Sequence, residues 1–204
     1  VSRPDGGRIR LPEQEKRPWR RKGQDSQIAY MPGIPGEGLV GGMNVTRNIT
    51  LSHMEGVQRS HLLLSGELEE QISEDYARRL GFQQASGKKV RELSGGTAQK
   101  VLISKGLFSQ AKIFVFHEPT AYLDIASRVE VYNLMNELAL QGYGVIFISA
   151  DLDELAGMCH RILVFYKGRI TGSFQGEEIS KTEMMKYVTG VMDHGETVAG
   201  KQIG

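Results

Sequence analysis

Two short apolar runs constrain the fold of this chain more than any other feature of its sequence. Ile113–Phe116 and Val145–Ile148 contain only apolar residues, and each has the length of a single strand. A strand without polar alternation is typical of a parallel sheet that is covered on both faces. Ile28–Met31 predicts a further short buried strand, which Pro32 closes.

Helical patterns separate these strands. Apolar residues recur at helical spacing in Glu67–Leu80, in Thr97–Gln110 and in Ser127–Leu140, which Gly142 ends. Strands that alternate with helices indicate an α/β fold with a mostly parallel sheet. The stretch 37–100 holds few strand patterns, so we expect it to be a helical insertion.

The last part of the chain predicts a smaller unit. Its expected elements are a helix over Asp151–Met158, a hairpin of Ile162–Phe165 and Arg169–Phe174 around Lys167-Gly168, and a helix over 180–189. We therefore expect one partial domain over residues 28–190. A mostly loop segment, 1–27, precedes it, and a polar, frayed tail, 191–204, follows it.

Composition excludes several classes of function. The 204 residues are 40% hydrophobic and 24% charged, which suits one ordinary globular domain. A formal net charge of +1 gives no argument for nucleic acid as the main partner. The single cysteine, Cys159, rules out an internal disulfide. No apolar stretch approaches the roughly 20 residues that span a bilayer, so membrane association would depend on a partner.

A basic run, Lys16–Lys22, contains the single tryptophan, Trp19. Basic runs can bind nucleic acid or anionic lipid. A solvated arm is the alternative interpretation, and the sequence leaves both open.

The sharpest local motif is Leu93-Ser94-Gly95-Gly96, which precedes the helix that carries Gln99. A serine and two glycines at a helix start leave backbone N–H groups bare with the helix dipole behind them, which favours an anion such as a phosphate. A serine N-cap followed by glycines in a turn is the plainer interpretation.

A second motif follows the strand Ile113–Phe116, which continues as His117-Glu118-Pro119-Thr120. Such a strand delivers Glu118 to the edge of the sheet, where a carboxylate can orient water for attack on phosphorus. A strand-end carboxylate that faces solvent is the alternative. Asp124 comes four residues after Thr120, and Ser149-Ala150-Asp151 follows the next strand.

In this order, these segments resemble the downstream part of an ABC-transporter ATP-binding domain. The resemblance covers about residues 26–190 and implies a P-loop NTPase-type sheet with a helical subdomain. It assigns a signature loop to Leu93–Gly96, a Walker B strand to Ile113–Glu118, a D-loop to Leu123-Asp124 and a switch loop to Ser149–Asp151.

Further stretches are similar to the second half of the two-domain ATPases of monosaccharide importers of the ribose and galactose type. They are Ile28–Pro32, Glu37–Val40, Gly42–Val45, Asn48–Leu51, Ala156–Ile162 and Met184–Gly190.

The sequence also departs from the family. No Gly-x-x-x-x-Gly-Lys-Ser/Thr run, the Walker A loop, occurs in the 204 residues. Asp5–Leu11 resembles the segment after the Walker A helix, so we expect the chain to begin too late to contain that loop, its strand and its helix. The family's Q-loop side chain is replaced by Gly33, its Walker B aspartate by His117 and its switch histidine by Ala150. Because Mg²⁺ prefers oxygen ligands, we expect no metal site here.

We expect the missing Walker A strand to have lain in the middle of the sheet, beside the Walker B strand. Ile113–Phe116 and Val145–Ile148 would then lose central pairing partners, and the chain alone would be marginally stable.

The resemblance implies a function that this chain shares with a partner. In the family, two domains sit head to tail and each signature loop contacts ATP held by the opposite Walker A loop. The residues expected to contact nucleotide in trans are Leu93, Ser94, Gly95, Gly96 and Gln99. Glu118 is the candidate base, and Asp124 belongs to the D-loop.

We therefore expect a degenerate signature-motif donor in an ATP-driven sugar importer, with ATP and Mg²⁺ at a shared interface. The implied partners are another ABC ATP-binding domain, transmembrane permease subunits and, indirectly, a periplasmic sugar-binding protein. The implied location is peripheral, at the cytoplasmic face of the bacterial inner membrane. A non-enzymatic regulatory or scaffold module is the first alternative. A soluble ABC-type protein that acts on nucleic acid is the second, supported only by Lys16–Lys22.

Overall fold

The computed structural model describes residues 27–60 and 63–190, and side chains in 59–64 are not considered. The basic run Lys16–Lys22, the expected loop segment apart from Gln27 and the expected tail lie outside the described residues. In chain order the elements are β1 (Ile28–Met31), α1 (Pro35–Gly38), α2 (Val45–Thr50), β2 (Gln58–Ser60), β3 (Leu63–Leu64), α3 (Gly66–Arg79), α4 (Gly95–Phe108), β4 (Ile113–His117), α5 (Ile125–Leu140), β5 (Gly144–Ile148), α6 (Leu152–Met158), β6 (Arg161–Tyr166), β7 (Arg169–Gln175) and α7 (Lys181–Val188).

The central sheet has three parallel strands in the order β1-β4-β5. The predicted α/β class, the strands and the main helices are confirmed. The expectation that Ile113–Phe116 loses a central partner is wrong, because β4 pairs with β1 on one side and with β5 on the other. Within the described residues, it is β5 that has an unpaired outer edge.

One face of this sheet carries the core. Phe114 and Phe116 are buried there, beside Met31 of β1. Helices α4 and α5 cover this face, and their apolar residues belong to the same cluster. Both crossovers step across the sheet in the same direction, from β1 to β4 to β5. A right-handed crossover therefore places both helices on the same side.

The opposite face is much less covered by the described residues. Tyr30 is 56% exposed, Ile146 50% and Ile148 43%. The expectation that the apolar runs are buried on both faces is therefore wrong for β5. Its apolar residues match those of a two-sided parallel strand, but only the face with Val145 and Phe147 packs against the core.

The predicted helical insertion lies between β1 and β4. Asn44 caps α2, and Ser65 caps α3, each by accepting a backbone N–H. Leu51–Val57 forms 3-10 turns, and β2 pairs with β3 antiparallel. The sequence does not predict β2, because Gln58–Ser60 is polar throughout and shows no alternation.

The C-terminal hairpin forms as expected. β6 and β7 pair antiparallel around Lys167 and Gly168, whose φ angles are 47° and 79°. Positive φ at both turn positions matches the right-handed twist of the strands. A second small core follows, made of Ile162, Val164, Phe174 and Met184. None of the helices in the described part of the chain has the length and apolar character needed to cross a membrane.

Candidate functional site

Glu118 occupies the position directly after β4, at the carboxyl edge of the sheet. Its backbone N–H donates to the carbonyl of Ile148 at 2.8 Å. Its carboxylate accepts the backbone N–H of Ala150 at 2.6 Å. Its φ angle is 46°, a left-handed conformation that is uncommon for a residue with a side chain. Such strain often accompanies a functional position.

The structure brings together, around Glu118, the three positions that were predicted to depart from the family. A Cβ placed on Gly33 would lie 3.2 Å from the Glu118 Cβ and 3.2 Å from the carbonyl oxygen of His117. His117 Nδ1 shares a 2.9 Å hydrogen bond with the hydroxyl of Tyr30. Ala150 contributes its backbone N–H, not a side chain. We refer to these five residues as the Glu118 cluster.

The Glu118 cluster does not fit Mg²⁺. It offers one carboxylate, which already accepts a backbone N–H, and one imidazole nitrogen bonded to Tyr30. Mg²⁺ requires near-octahedral oxygen ligation. No group of three or more His, Cys, Asp or Glu side chains that could hold a metal occurs within the described ranges.

The predicted signature loop lies at the start of α4. Ser94 caps this 14-residue helix by accepting the backbone N–H of Thr97 at 3.2 Å. Ser94 and Gly95 are exposed. Because the first turn of a helix presents backbone N–H groups that the helix cannot bind itself, this end fits a phosphate oxygen.

Both signature glycines lie against Tyr122, in the loop between β4 and α5. A Cβ on Gly96 would lie 2.9 Å from the carbonyl oxygen of Tyr122, which is closer than real Cβ atoms come to a backbone oxygen. A Cβ on Gly95 would lie 3.4 Å from the Tyr122 ring, an ordinary contact. The signature loop and Tyr122, which precedes the predicted D-loop, therefore form one exposed surface.

Gln99 does not belong to this surface. Its side chain is 0% exposed, and neither amide atom has a hydrogen-bond partner in the structure. In the chain alone, Gln99 is thus set apart from the exposed residues of the signature loop. The predicted contacts of Leu93, Ser94, Gly95, Gly96 and Gln99 with nucleotide in trans remain predictions.

Asp124 of the predicted D-loop is the N-cap of α5. Its carboxylate accepts the backbone N–H of Ser127 at 2.9 Å and the Ser127 hydroxyl at 3.1 Å. These two bonds, the backbone one foremost, lower the pKa of Asp124. Asp124 therefore has a capping role in the chain alone, whatever further contact it makes.

Sequence analysis missed Glu154, which lies in α6. Its side chain is only 7% exposed and accepts hydrogen bonds from several elements. The donors are Thr120 at 2.7 Å, Tyr132 at 2.6 Å, Ser149 at 2.9 Å and Arg128 at 3.4 Å. An acidic residue in the first turn of a short helix looks like ordinary dipole compensation, so its burial leaves no signal in one sequence.

Comparisons with known proteins agree with the geometry. The family model described as "ABC transporter" matches residues 1–121. A ribose import ATP-binding protein of Roseobacter denitrificans is 36% identical over 84% of this chain and 34% of its own length. A xylose import ATP-binding protein of Geobacillus kaustophilus is 39% identical over 75% of this chain and 30% of its own length. The chain thus spans about a third of the length of the curated relatives it matches.

Solved structures share the fold. An ATP-binding subunit of an ABC transporter superposes with a TM-score of 0.66 at 20% identity, covering 80% of this chain and 68% of that chain. A dimeric ATP-binding cassette in a post-hydrolysis state, bound to ADP and Pi, gives 0.64 at 19% identity, covering 74% and 63%. At these identities the likeness concerns the fold alone.

Proposed function

Because this chain belongs to the ABC transporter family, we propose that it forms part of the ATP-binding machinery of a sugar importer. Relatives named as ribose and xylose import ATP-binding proteins match most of its length. Its specific role in this proposal is to offer the loop Leu93–Gly96 to ATP held by another ABC ATP-binding domain.

The contrast between the two parts of the site supports this role. The signature loop keeps an exposed helix start whose glycines pack against Tyr122. The Glu118 cluster has a glycine and a histidine where the family has oxygen-bearing side chains, and it does not fit Mg²⁺. The chain therefore has what it needs to contact a partner's nucleotide, whereas these positions give it little with which to hold its own.

Members of this family bind ATP, typically with Mg²⁺. When bound, ATP supplies the phosphoanhydride whose hydrolysis drives transport. On this chain, the N–H groups at the start of α4 would bind oxygens of the terminal phosphate, and Ser94 would orient that turn. We assign no Mg²⁺ ligand to the described residues.

The proposal includes specific partners. They are a second ABC ATP-binding domain that carries a Walker A loop, a pair of transmembrane permease subunits and, indirectly, a periplasmic sugar-binding protein. The proposed location is peripheral, at the cytoplasmic face of the bacterial inner membrane.

A regulatory or scaffold module without catalysis is the second candidate. It is favoured by the hydrogen bond between His117 and Tyr30, which engages the side chain at the position of the Walker B aspartate. In this case the chain would bind the partner domain but would not change the partner's affinity for ATP.

Nucleotide-dependent association tests the proposal. Sedimentation velocity would follow the chain mixed with an intact ribose-importer ATP-binding domain, with ADP or a non-hydrolysable ATP analogue. We expect a complex with the analogue, little complex with ADP, and loss of the complex with Ser94→Arg. Equal association under all conditions would favour the scaffold role, and no association would contradict both.

A further inference from the structure

Glu154 connects four elements that border the candidate site. It belongs to α6, and its Oε1 accepts the hydroxyls of Thr120, after β4, and Tyr132, on α5. Its Oε2 accepts the hydroxyl of Ser149, directly after β5. Arg128 of α5 lies 3.4 Å from Oε1. Since a buried carboxylate is costly unless it is well bonded, this set of donors indicates a specific arrangement.

The two carboxylate oxygens of Glu154 accept hydrogen bonds from different loops. Through Ser149, Oε2 reaches the switch loop, because the Ser149 hydroxyl also accepts the backbone N–H of Asp151 at 3.0 Å. The residue between them, Ala150, is the one that binds the Glu118 carboxylate.

The other oxygen, Oε1, accepts a hydrogen bond from Thr120 in the loop that carries Tyr122. Thr120 accepts the backbone N–H of Leu123 at 3.1 Å through its carbonyl oxygen. Arg128 donates to the carbonyl of Leu123 at 3.3 Å. Gly96 of the signature loop packs against Tyr122, which lies between Thr120 and Leu123 in the sequence. The Glu118 cluster and the signature loop thus each contact a loop that is hydrogen-bonded to the carboxylate of Glu154.

We propose that Glu154 is a positioning residue that holds the switch loop against Glu118 and the 120–124 loop against the signature glycines. Its relevance to nucleotide contact rests on the proposed function. The positioning itself does not, since it concerns contacts within the chain alone.

Two variants separate the two attachments. Ser149→Ala removes the hydroxyl that binds Oε2 and releases the switch loop, while Oε1 keeps its donors on Thr120, Tyr132 and Arg128. Glu154→Ala removes both oxygens and releases both loops. Glu154→Gln is not selective, because its amide nitrogen can donate to the Ser149 hydroxyl.

Amide hydrogen exchange of the full chain measures this selectivity. In Ser149→Ala we expect exchange at the Ala150 amide to accelerate roughly tenfold, the effect of losing about one hydrogen bond. Exchange at the Leu123 amide should change by less than about twofold. In Glu154→Ala both amides should accelerate.

Two controls make the result specific. Glu137→Gln, on α5, alters an exposed ion pair with Arg79 of α3 and should leave both amides unchanged. Leu138→Ala removes part of the core beside it, and it should raise exchange throughout the chain in proportion to lost stability. Acceleration in Glu154→Ala that is uniform throughout the chain, like that in Leu138→Ala, would overturn the proposal, as would no change at Ala150.

A second readout separates this proposal from the proposed function. If wild-type chain raises a partner domain's affinity for ATP, Glu154→Ala should reduce that effect while Glu137→Gln keeps it. Selective exchange together with a wild-type chain that has no effect on ATP would contradict the proposed function and support positioning by Glu154.

Discussion

The backbone N–H of Ala150 lies 2.6 Å from a carboxylate oxygen of Glu118, although 32 residues separate them in sequence. Ala150 is predicted to stand where the family has a switch histidine, and its main chain makes the contact that joins the predicted switch loop to the candidate base. A main-chain donor does not depend on which side chain stands at position 150. The connection between the two loops therefore does not require a histidine at this position.

Replacing Glu118 should release Ala150. In Glu118→Ala the N–H loses a charge-assisted acceptor, and we expect its amide exchange to accelerate roughly tenfold. Glu118→Gln keeps an acceptor oxygen without the charge, so its effect should be smaller. Exchange at Val115, in the middle of the paired strand β4, serves as the internal control. Equal protection of Ala150 in all three proteins would show that the bond is not formed in solution.

The two signature glycines should respond oppositely to alanine. Gly96→Ala places a Cβ 2.9 Å from the Tyr122 carbonyl oxygen, so we expect the free energy of unfolding to fall by about 1–3 kcal/mol. Gly95→Ala meets only an ordinary contact. Because alanine favours helix over glycine, its effect should be neutral or stabilising by up to about 1 kcal/mol. Urea unfolding of both variants measures the difference, and equal losses would mean that Tyr122 does not pack as described.

The exposed sheet face should drive self-association of the isolated chain. Ile146 and Ile148 are about half exposed, beside an edge of β5 that has no partner strand in the described ranges. We expect Ile146→Thr with Ile148→Thr to reduce concentration-dependent association in sedimentation velocity, while stability changes by less than about 1 kcal/mol.

The same positions test whether that face is open. A loss of several kcal/mol in the double threonine variant would show that these side chains are buried in solution. That the chain alone is marginally stable also remains a prediction, and a high, cooperative melting transition of the monomer would contradict it.

Cys159 should react slowly with thiol reagents. It lies against the small core around Ile162 and Met184, and burial raises the pKa of its thiol above the ordinary value of 9.0. At pH 8 we therefore expect labelling to be at least about tenfold slower in the folded chain than in urea, because the thiolate is the reactive form. The rate should still rise with pH above 9. Labelling at the unfolded rate would mean that this core is open.

The three strands of the central sheet were predictable because each is a short apolar run, and helices α4 and α5 were predictable from their apolar spacing. Which strand lies in the middle of the sheet was not, since strand order depends on how the crossovers pack and not on local pattern. For the same reason, the sequence could not show that Ile146 and Ile148 lie on the open face.

In the candidate site, residue type singled out Glu118, Ser94 and the glycines, because few residue types suit contact with phosphate; their roles remain predictions. The sequence could not show that the side chain of Gln99 is buried, since its position in the motif gives no sign of burial. Glu154 was missed because its donors come from positions 120, 128, 132 and 149, which only the folded chain brings together.

The most direct test of the account is a calorimetric titration of Mg²⁺ and millimolar ATP into this chain, into an intact ribose-importer ATP-binding domain, and into their mixture. We predict no measurable binding by the chain alone and an affinity of the partner for ATP that rises at least about fivefold in the mixture. Ser94→Arg should abolish that increase, because its side chain fills the start of α4. ATP binding by the chain alone, lost in Ser94→Arg or Glu118→Gln, would contradict the account, because the chain would then hold a nucleotide site of its own.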